Sequence, residues 1–105
     1  MEVLYREEYN GYLLSVVSFM GSLNGYITLP LGSRYDGADY DDIPIDIHGG
    51  LTFGGIFDVF STDNWTIGFD TSHFGDNCKA IQNVDYVVSQ LRSGVTQLQV
   101  LEEKK

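Results

Sequence analysis

The sequence predicts an α+β fold, in which a small antiparallel sheet of about four or more strands packs against one C-terminal helix. Two observations predict it. In residues 11–71, short runs rich in β-branched and aromatic residues alternate with clusters of Gly, Asn, Asp and Pro, as in strands joined by turns. In residues 84–101, the apolar period changes to three and four residues, which is typical of an amphipathic helix. Because the chain has 105 residues, we expect a single domain over 1–105.

The first two strands are predicted to form a hairpin. Residues 11–20 (GYLLSVVSFM) suit a pleated, half-buried surface, and residues 26–30 (YITLP) are expected to be the return strand. Residues 21–25 (GSLNG) have turn chemistry, with Asn24 and Gly25 able to take positive φ. We therefore place the turn in this segment.

Two further strands are expected, at residues 43–53 (IPIDIHGGLTF) and 65–71 (WTIGFDT). Residues 31–42 lack a period and are predicted to form a surface loop. Residues 54–64 are predicted to connect the two strands, and residues 72–83 to form a second loop.

The C-terminal helix is predicted to cover Ile45 and Ile47 on one face of the sheet. Its apolar residues recur at helical spacings: Val84, Val87, Val88, Leu91, Val95, Leu98 and Leu101. Asn83 suits the N-cap, and Asp85 suits the first turn. Glycine costs about 1 kcal/mol relative to Ala inside a helix, so we expect a bend or an end at Gly94.

Charge and composition exclude several classes of function. The net charge of −9 argues against a protein that binds nucleic acid, and leaves cation binding, a basic protein partner, nucleic-acid mimicry, or solubility alone. The lone Cys78 cannot form an intramolecular disulfide, which fits a reducing cytosol. No apolar run reaches the roughly 18–20 residues of a membrane span, and the N-terminus is acidic. We expect a cytoplasmic protein with no membrane partner.

The first candidate site segment is IDIHGGLTFGG, residues 45–55. Asp46 and His48 are two residues apart, so in a strand they share one face. Gly49 and Gly50 follow, and they leave space and backbone N–H groups beside the pair, unless they only make a bend.

The second candidate segment is GFDTSHFGD, residues 68–76. Asp70, His73 and Asp76 follow one another at three-residue spacings, which allows one tight loop to aim all three inward. Alternatively, the two Asp side chains bind only the backbone of their own turns. His48 and His73 are the only histidines of the chain, and each lies in a segment with Gly and Asp. We therefore predict that the two segments form one site.

Two chemistries suit such a site. A small polar ligand would be bound by imidazoles, by carboxylates that hold hydroxyl groups and by glycine N–H groups. The residues predicted for it are Asp46, His48, Gly49, Gly50, Asp70, His73 and Asp76. Alternatively, His48, His73 and Asp70 hold a divalent metal ion such as Zn, Mn, Fe or Ni. The spacings match no common zinc motif.

These segments resemble a family of small uncharacterised proteins encoded by bacteriophages and prophages. The resemblance covers residues 11–98 and includes NGYITLPLG, YDDIPIDIHGGLTF, WTIGFDTSHFGD and a helix with YV, L and QL. Its core is the paired DxHGGLT and GFDxxHxGD motifs. The resemblance implies a phage origin and a shared site rather than a reaction. The family commonly has a His-Pro pair after the second strand, where this chain has Ser33-Arg34, which argues against a three-histidine zinc site.

Three functions follow as expectations. The first is a phage accessory protein, in the cytoplasm of the bacterial host, that binds a small polar ligand of nucleotide type. The second is a small metal-dependent hydrolase that uses the same residues to activate water. The third is an acidic interaction protein that inhibits a host protein. The sequence leaves open whether the protein is an enzyme, and in which oligomeric state it works.

Overall fold

Five antiparallel strands and one C-terminal helix form the fold, which confirms the predicted α+β class. The structure is a computed structural model, and it describes residues 1–57 and 63–103. The elements are β1 (Glu2–Tyr9), β2 (Tyr12–Phe19), β3 (Ser22–Thr28), a 3-10 turn (Tyr40–Asp42), β4 (Phe53–Ile56), β5 (Trp65–Asp70) and α1 (Val84–Glu103).

The strands are ordered β1-β2-β3-β5-β4, and α1 packs on β1, β2 and β3. β1 is an additional strand at the sheet edge, and its side chains alternate between exposed and half-buried. The predicted fourth strand is confirmed as β5, and the two predicted loops lie outside the sheet. The predicted connection 54–64 begins inside β4, and its residues 58–62 lie outside the described residues.

The predicted hairpin exists, but its turn is shorter and earlier than the predicted segment 21–25, with which it shares only Gly21. The turn between β2 and β3 is formed by Met20 and Gly21, whose φ values are 51° and 84°, a pair of positive angles that suits a two-residue hairpin loop. Asn24 and Gly25 lie inside β3. A Cβ atom at Gly25 would lie 2.6 Å from the Phe69 ring, so this glycine permits close packing and is not a turn residue.

The predicted strand over residues 43–53 is also wrong, because only its last residue joins the sheet, as the start of β4. The remaining residues of this segment cross α1. There, side chains of the helix form the hydrogen bonds to the backbone that a neighbouring strand would otherwise form. Gln97 Oε1 accepts a hydrogen bond from the Asp46 amide at 2.6 Å, and Gln97 Nε2 donates to the Asp46 carbonyl at 2.7 Å. The His48 amide donates to Gln90 Oε1 at 3.0 Å. We call this segment the connecting segment.

The core lies between the sheet, the connecting segment and α1. Ile47 and Leu91 are buried and Ile45 is half-buried against them, as predicted. Of the bend or end expected at Gly94, the end is wrong, since the helix continues to Glu103. A Cβ atom at Gly94 would lie 3.0 Å from Ile27 Cδ1, so the missing side chain brings α1 close to the sheet.

The N-terminal end of α1 is fixed by Asn83, as predicted. Its Oδ1 accepts a hydrogen bond from the Tyr86 amide at 3.2 Å, which satisfies one of the free donors of the first turn. In the part of the chain that the structure describes, no helix is long and apolar enough to cross a membrane.

Candidate functional site

His48, His73 and Asp76 converge beside the N-terminal half of α1. Each offers one potential metal-ligand atom, and these atoms all lie within 4.8 Å of one another. His48 Nε2 is 2.9 Å from Asp76 Oδ1, and His73 Nδ1 is 3.3 Å from Asp76 Oδ2. The centroids of the two imidazole rings are 6.3 Å apart. The connecting segment and the loop after β5 therefore meet in the fold, and we call these three residues the His/Asp cluster.

Asp76 is the central member, and the loop after β5 fixes its position. Its Oδ2 accepts a hydrogen bond from the His73 amide at 3.0 Å, and its own amide donates to the His73 carbonyl at 3.0 Å. Gln82 Nε2 donates to the Asp76 carbonyl at 3.0 Å. Burial raises the pKa of Asp76, but hydrogen bonds from His48 and from the His73 amide outweigh it, and the pKa lies below its usual value. Asp76 is therefore a carboxylate at neutral pH.

His48 is oriented by two side chains of α1. Its Nδ1 is 2.7 Å from the Tyr86 hydroxyl, and its backbone amide is held by Gln90. The Tyr86 and His48 rings meet edge to face, with centroids 5.5 Å apart. Because Tyr86 occupies Nδ1, the second ring nitrogen, Nε2, points at Asp76. Histidine ligands of metals commonly have such a partner on the nitrogen that does not bind the ion.

Gly49 and Gly50 both take positive φ, at 67° and 83°, but only Gly49 touches the cluster. A Cβ atom at Gly49 would lie 2.6 Å from His73 Cε1, whereas one at Gly50 would meet nothing within 4 Å. The Gly50 N–H donates to the Ile47 carbonyl at 2.9 Å, so it is not available to bind an anion. Because Gly49 has no side chain, the His73 ring can lie close to its backbone.

Asp70 and Asp46 lie outside the His/Asp cluster. Asp70 is adjacent to it, with Oδ1 3.5 Å from His73 Nδ1. The Asp70 oxygens also accept hydrogen bonds from the Ser72 amide and the Thr52 hydroxyl, both at 3.0 Å. Asp46 is exposed, and Gln97 binds its backbone.

A cavity of about 300 Å³ borders His73. It is lined by Gly21, Ser22, Thr71, Ser72, His73, Asn77 and Gln82. Apart from His73, its side chains carry hydroxyl and carboxamide groups. One wall is rigid, because Gln82 Oε1 accepts from the Leu23 amide at 3.1 Å while its Nε2 donates to the Thr71 carbonyl at 2.9 Å. We call this space the polar cavity.

Several site residues were not predictable from the sequence. Gln82 and Gln90 carry no distinguishing signal, since glutamine is ordinary in loops and on helix surfaces. Tyr86 gives a weak signal, because it places a polar-tipped aromatic ring in the first turn of a helix beside apolar residues.

The His/Asp cluster has the chemistry of a transition-metal site. Two imidazole nitrogens and one carboxylate oxygen suit Zn²⁺, and also Fe²⁺ or Mn²⁺, and three protein ligands leave at least one coordination position open.

Comparisons of the chain with known protein families, with curated proteins and with solved structures give no match. Function must therefore be inferred from the geometry of the site.

Proposed function

We propose that this protein binds a small polar ligand at a divalent metal ion held by His48, His73 and Asp76. The observation that carries the proposal is the distance between donor atoms. Ligand atoms that lie about 2.0–2.1 Å from a tetrahedral ion are about 3.3 Å from each other. His48 Nε2 is 2.9 Å from Asp76 Oδ1 and His73 Nδ1 is 3.3 Å from Asp76 Oδ2, close to that value. One atom from each of the three residues lies within 4.8 Å of the others, so small side-chain movements would bring all three to a single ion.

Charge supports an ion at this place. Two neutral imidazoles and one carboxylate leave a bound divalent ion with a net positive charge. In a chain whose net charge is −9, such an ion would supply the positive potential that an oxygen-rich or anionic ligand needs. A phosphate group would otherwise meet Asp70 and Asp76 without a compensating cation.

The polar cavity supports a small ligand. Its volume of about 300 Å³ is at the lower end of the range for ligand pockets. Its hydroxyl and carboxamide groups suit hydroxyl, carbonyl or phosphate oxygens. In the part of the chain that the structure describes, no aromatic ring other than the His73 imidazole lines it to stack on a base. We therefore favour a ligand that contacts the metal through oxygen. In keeping with the phage-family resemblance, we place this activity in the cytoplasm of an infected bacterial cell.

Metal-dependent hydrolysis is the second candidate. The observation that favours it is the partly exposed carboxylate of Asp70, whose Oδ1 lies 3.5 Å from His73 Nδ1. A metal-bound water in the open position would have a lowered pKa, and Asp70 would accept its proton. Zinc-dependent hydrolysis of activated esters or phosphoesters, lost in Asp70→Asn with metal binding retained, would support this function.

Calorimetric titration with Zn²⁺, Mn²⁺, Ni²⁺ and Mg²⁺ tests metal binding. We expect one transition-metal ion per chain, and at least tenfold weaker binding in His73→Ala. Phe74→Ala is the matched control, because Phe74 is adjacent and fully exposed. At an ion concentration 100 times Kd, linkage predicts about 2.7 kcal/mol of added stability.

A parent protein that binds none of these ions would contradict the metal proposal, and so would His73→Ala that binds them equally well. In the first case, inhibition of a host protein by the acidic surface becomes the leading function. For the ligand, nucleotides, sugars and sugar phosphates are titrated into the zinc-loaded protein. Asn77→Ala should weaken ligand binding and leave zinc binding unchanged, because Asn77 lines the cavity but lies outside the cluster.

A further inference from the structure

A second cavity, of about 340 Å³, lies beside β4 and β5 and shares no lining residue with the polar cavity. It is lined by Gly37, Asp39, Tyr40, Gly54 and Trp65. We call it the aromatic cavity. Two of its walls are aromatic rings, one carries a carboxylate, and two residues have no side chain.

The walls of the aromatic cavity are held in place by the loop before the connecting segment. Trp65 Nε1 donates a hydrogen bond to the Ala38 carbonyl at 3.0 Å, which fixes the half-buried indole ring. Tyr40 begins the 3-10 turn, and Asp39 caps that turn by accepting from the Asp41 amide at 3.4 Å. The exposed Asp39 therefore lines the same cavity as the two rings, with its carboxylate held by the turn.

The charge around the aromatic cavity selects a cation. Asp36, Asp41 and Asp42 are exposed on the same loop, so the cavity opens in a region of negative potential. A cation above an indole or phenol ring is attracted by the ring face, and a guanidinium also stacks on it. Among the described residues, the lining carries no carboxamide and no aliphatic hydroxyl, the groups with which a neutral sugar would usually be bound.

We propose that the aromatic cavity receives an arginine side chain of a basic partner protein. The guanidinium would stack on Trp65 or Tyr40 and pair with Asp39, and the surrounding carboxylates would attract the basic surface of the partner. This interaction site is independent of the His/Asp cluster, and its test does not require a metal.

Trp65 is the only tryptophan of the chain, so its fluorescence reports directly on this cavity. The probes are the capped tripeptide Gly-Arg-Gly and its citrulline counterpart, which has the same shape but no charge, in buffer with EDTA and physiological salt. We expect a saturable fluorescence change with the arginine peptide, and at least tenfold weaker binding of the citrulline peptide. Equal binding of the two peptides, or no saturable change with either, would overturn the proposal.

Two variants locate the binding. Asp39→Asn should weaken binding of the arginine peptide at least fivefold while the turn stays capped, because Asn caps as well as Asp. Asp46→Asn is the matched control, since it removes the same charge from an exposed position outside the cavity. Tyr40→Leu should also weaken binding, by removing one ring. Equal losses in Asp39→Asn and Asp46→Asn would show diffuse electrostatic attraction, and saturation by a neutral monosaccharide would show a sugar site; either result would refute the arginine site.

Discussion

Gly49 and Gly50 offer a matched pair of substitutions that separates metal binding from stability. Both residues are exposed and take positive φ, so alanine at either position is strained by about 1–2 kcal/mol. At Gly50 the new methyl group meets nothing within 4 Å, whereas at Gly49 it would lie 2.6 Å from His73 Cε1. The two variants therefore share one backbone penalty and differ in what happens to His73.

The size of the displacement follows from the distances. To move from 2.6 Å to the 3.4 Å at which ordinary van der Waals contact begins, the His73 ring must retreat by about 0.8 Å. Metal–nitrogen distances tolerate deviations of only about 0.2 Å. Because the side chain of His73 is 39% exposed, the ring can turn into solvent at little cost in stability. Gly49→Ala should therefore weaken zinc binding at least tenfold, while Gly50→Ala binds zinc like the parent.

Calorimetric zinc titration and thermal unfolding in EDTA are the two measurements. We expect both variants to unfold at a similarly lowered temperature, by about 4–8 °C for each kcal/mol lost in a domain of this size. The reasoning is refuted if Gly49→Ala binds zinc as tightly as Gly50→Ala, or if Gly50→Ala loses as much zinc affinity as Gly49→Ala.

Three further predictions concern the core and the cluster. Leu91→Ala should lower the free energy of unfolding by about 2–5 kcal/mol, because Leu91 is fully buried; a loss under about 1 kcal/mol in urea denaturation would show that α1 is not packed as described. Burial raises the pKa of Asp76, but hydrogen bonds, chiefly from His48, lower it by more, so the folded pKa lies below its usual value. The ionised carboxylate therefore stabilises the fold at pH values above the unfolded pKa of about 3.9. The stability advantage of the parent over Asp76→Asn should therefore be present at pH 7 and be lost as the pH falls below about 4, and an advantage that persists at pH 2 would contradict this assignment. Tyr86→Phe removes the hydroxyl group from His48 Nδ1 and should weaken zinc binding about 10–100-fold with a small change in melting temperature; unchanged zinc affinity would show that Tyr86 does not orient the imidazole.

The fold class is predictable because its signals are local. The helix follows from its apolar period and from the N-cap at Asn83, and β5 follows from a β-prone run between turn residues. Glycine is ambiguous at this level, since it serves both turns and close packing. From the sequence, Gly25 indicates a turn and Gly94 indicates a helix end. Each instead lies inside a strand or helix, where it permits a close contact that only the tertiary structure defines.

The convergence of the two site segments is predictable, but the partners of the cluster are not. Alternation of Asp46 and His48 with isoleucines predicts an extended segment, and the segment does present Ile47 to the core. The amides of Asp46 and His48 donate to Gln97 and Gln90, however, and period-two alternation cannot distinguish a strand neighbour from helix side chains. The relation of Asp70 and Asp76 to His73 likewise depends on how the loop after β5 turns.

The glutamine contacts between α1 and the connecting segment have a consequence for hydrogen exchange. The amides of Asp46 and His48 are protected by side chains of a helix, so they should exchange with solvent when α1 separates from the sheet, and not when a neighbouring strand frays. His48 thus shares a local opening unit with Tyr86 and Gln90, although its ring also lies 6.2 Å from the Phe69 ring of β5. Binding of an ion to the His/Asp cluster would slow hydrogen exchange in this unit and leave the exchange rate of the β1–β2 hairpin unchanged. Binding at the site would therefore be felt at the contacts of α1 with the connecting segment, from Tyr86 to Gln97.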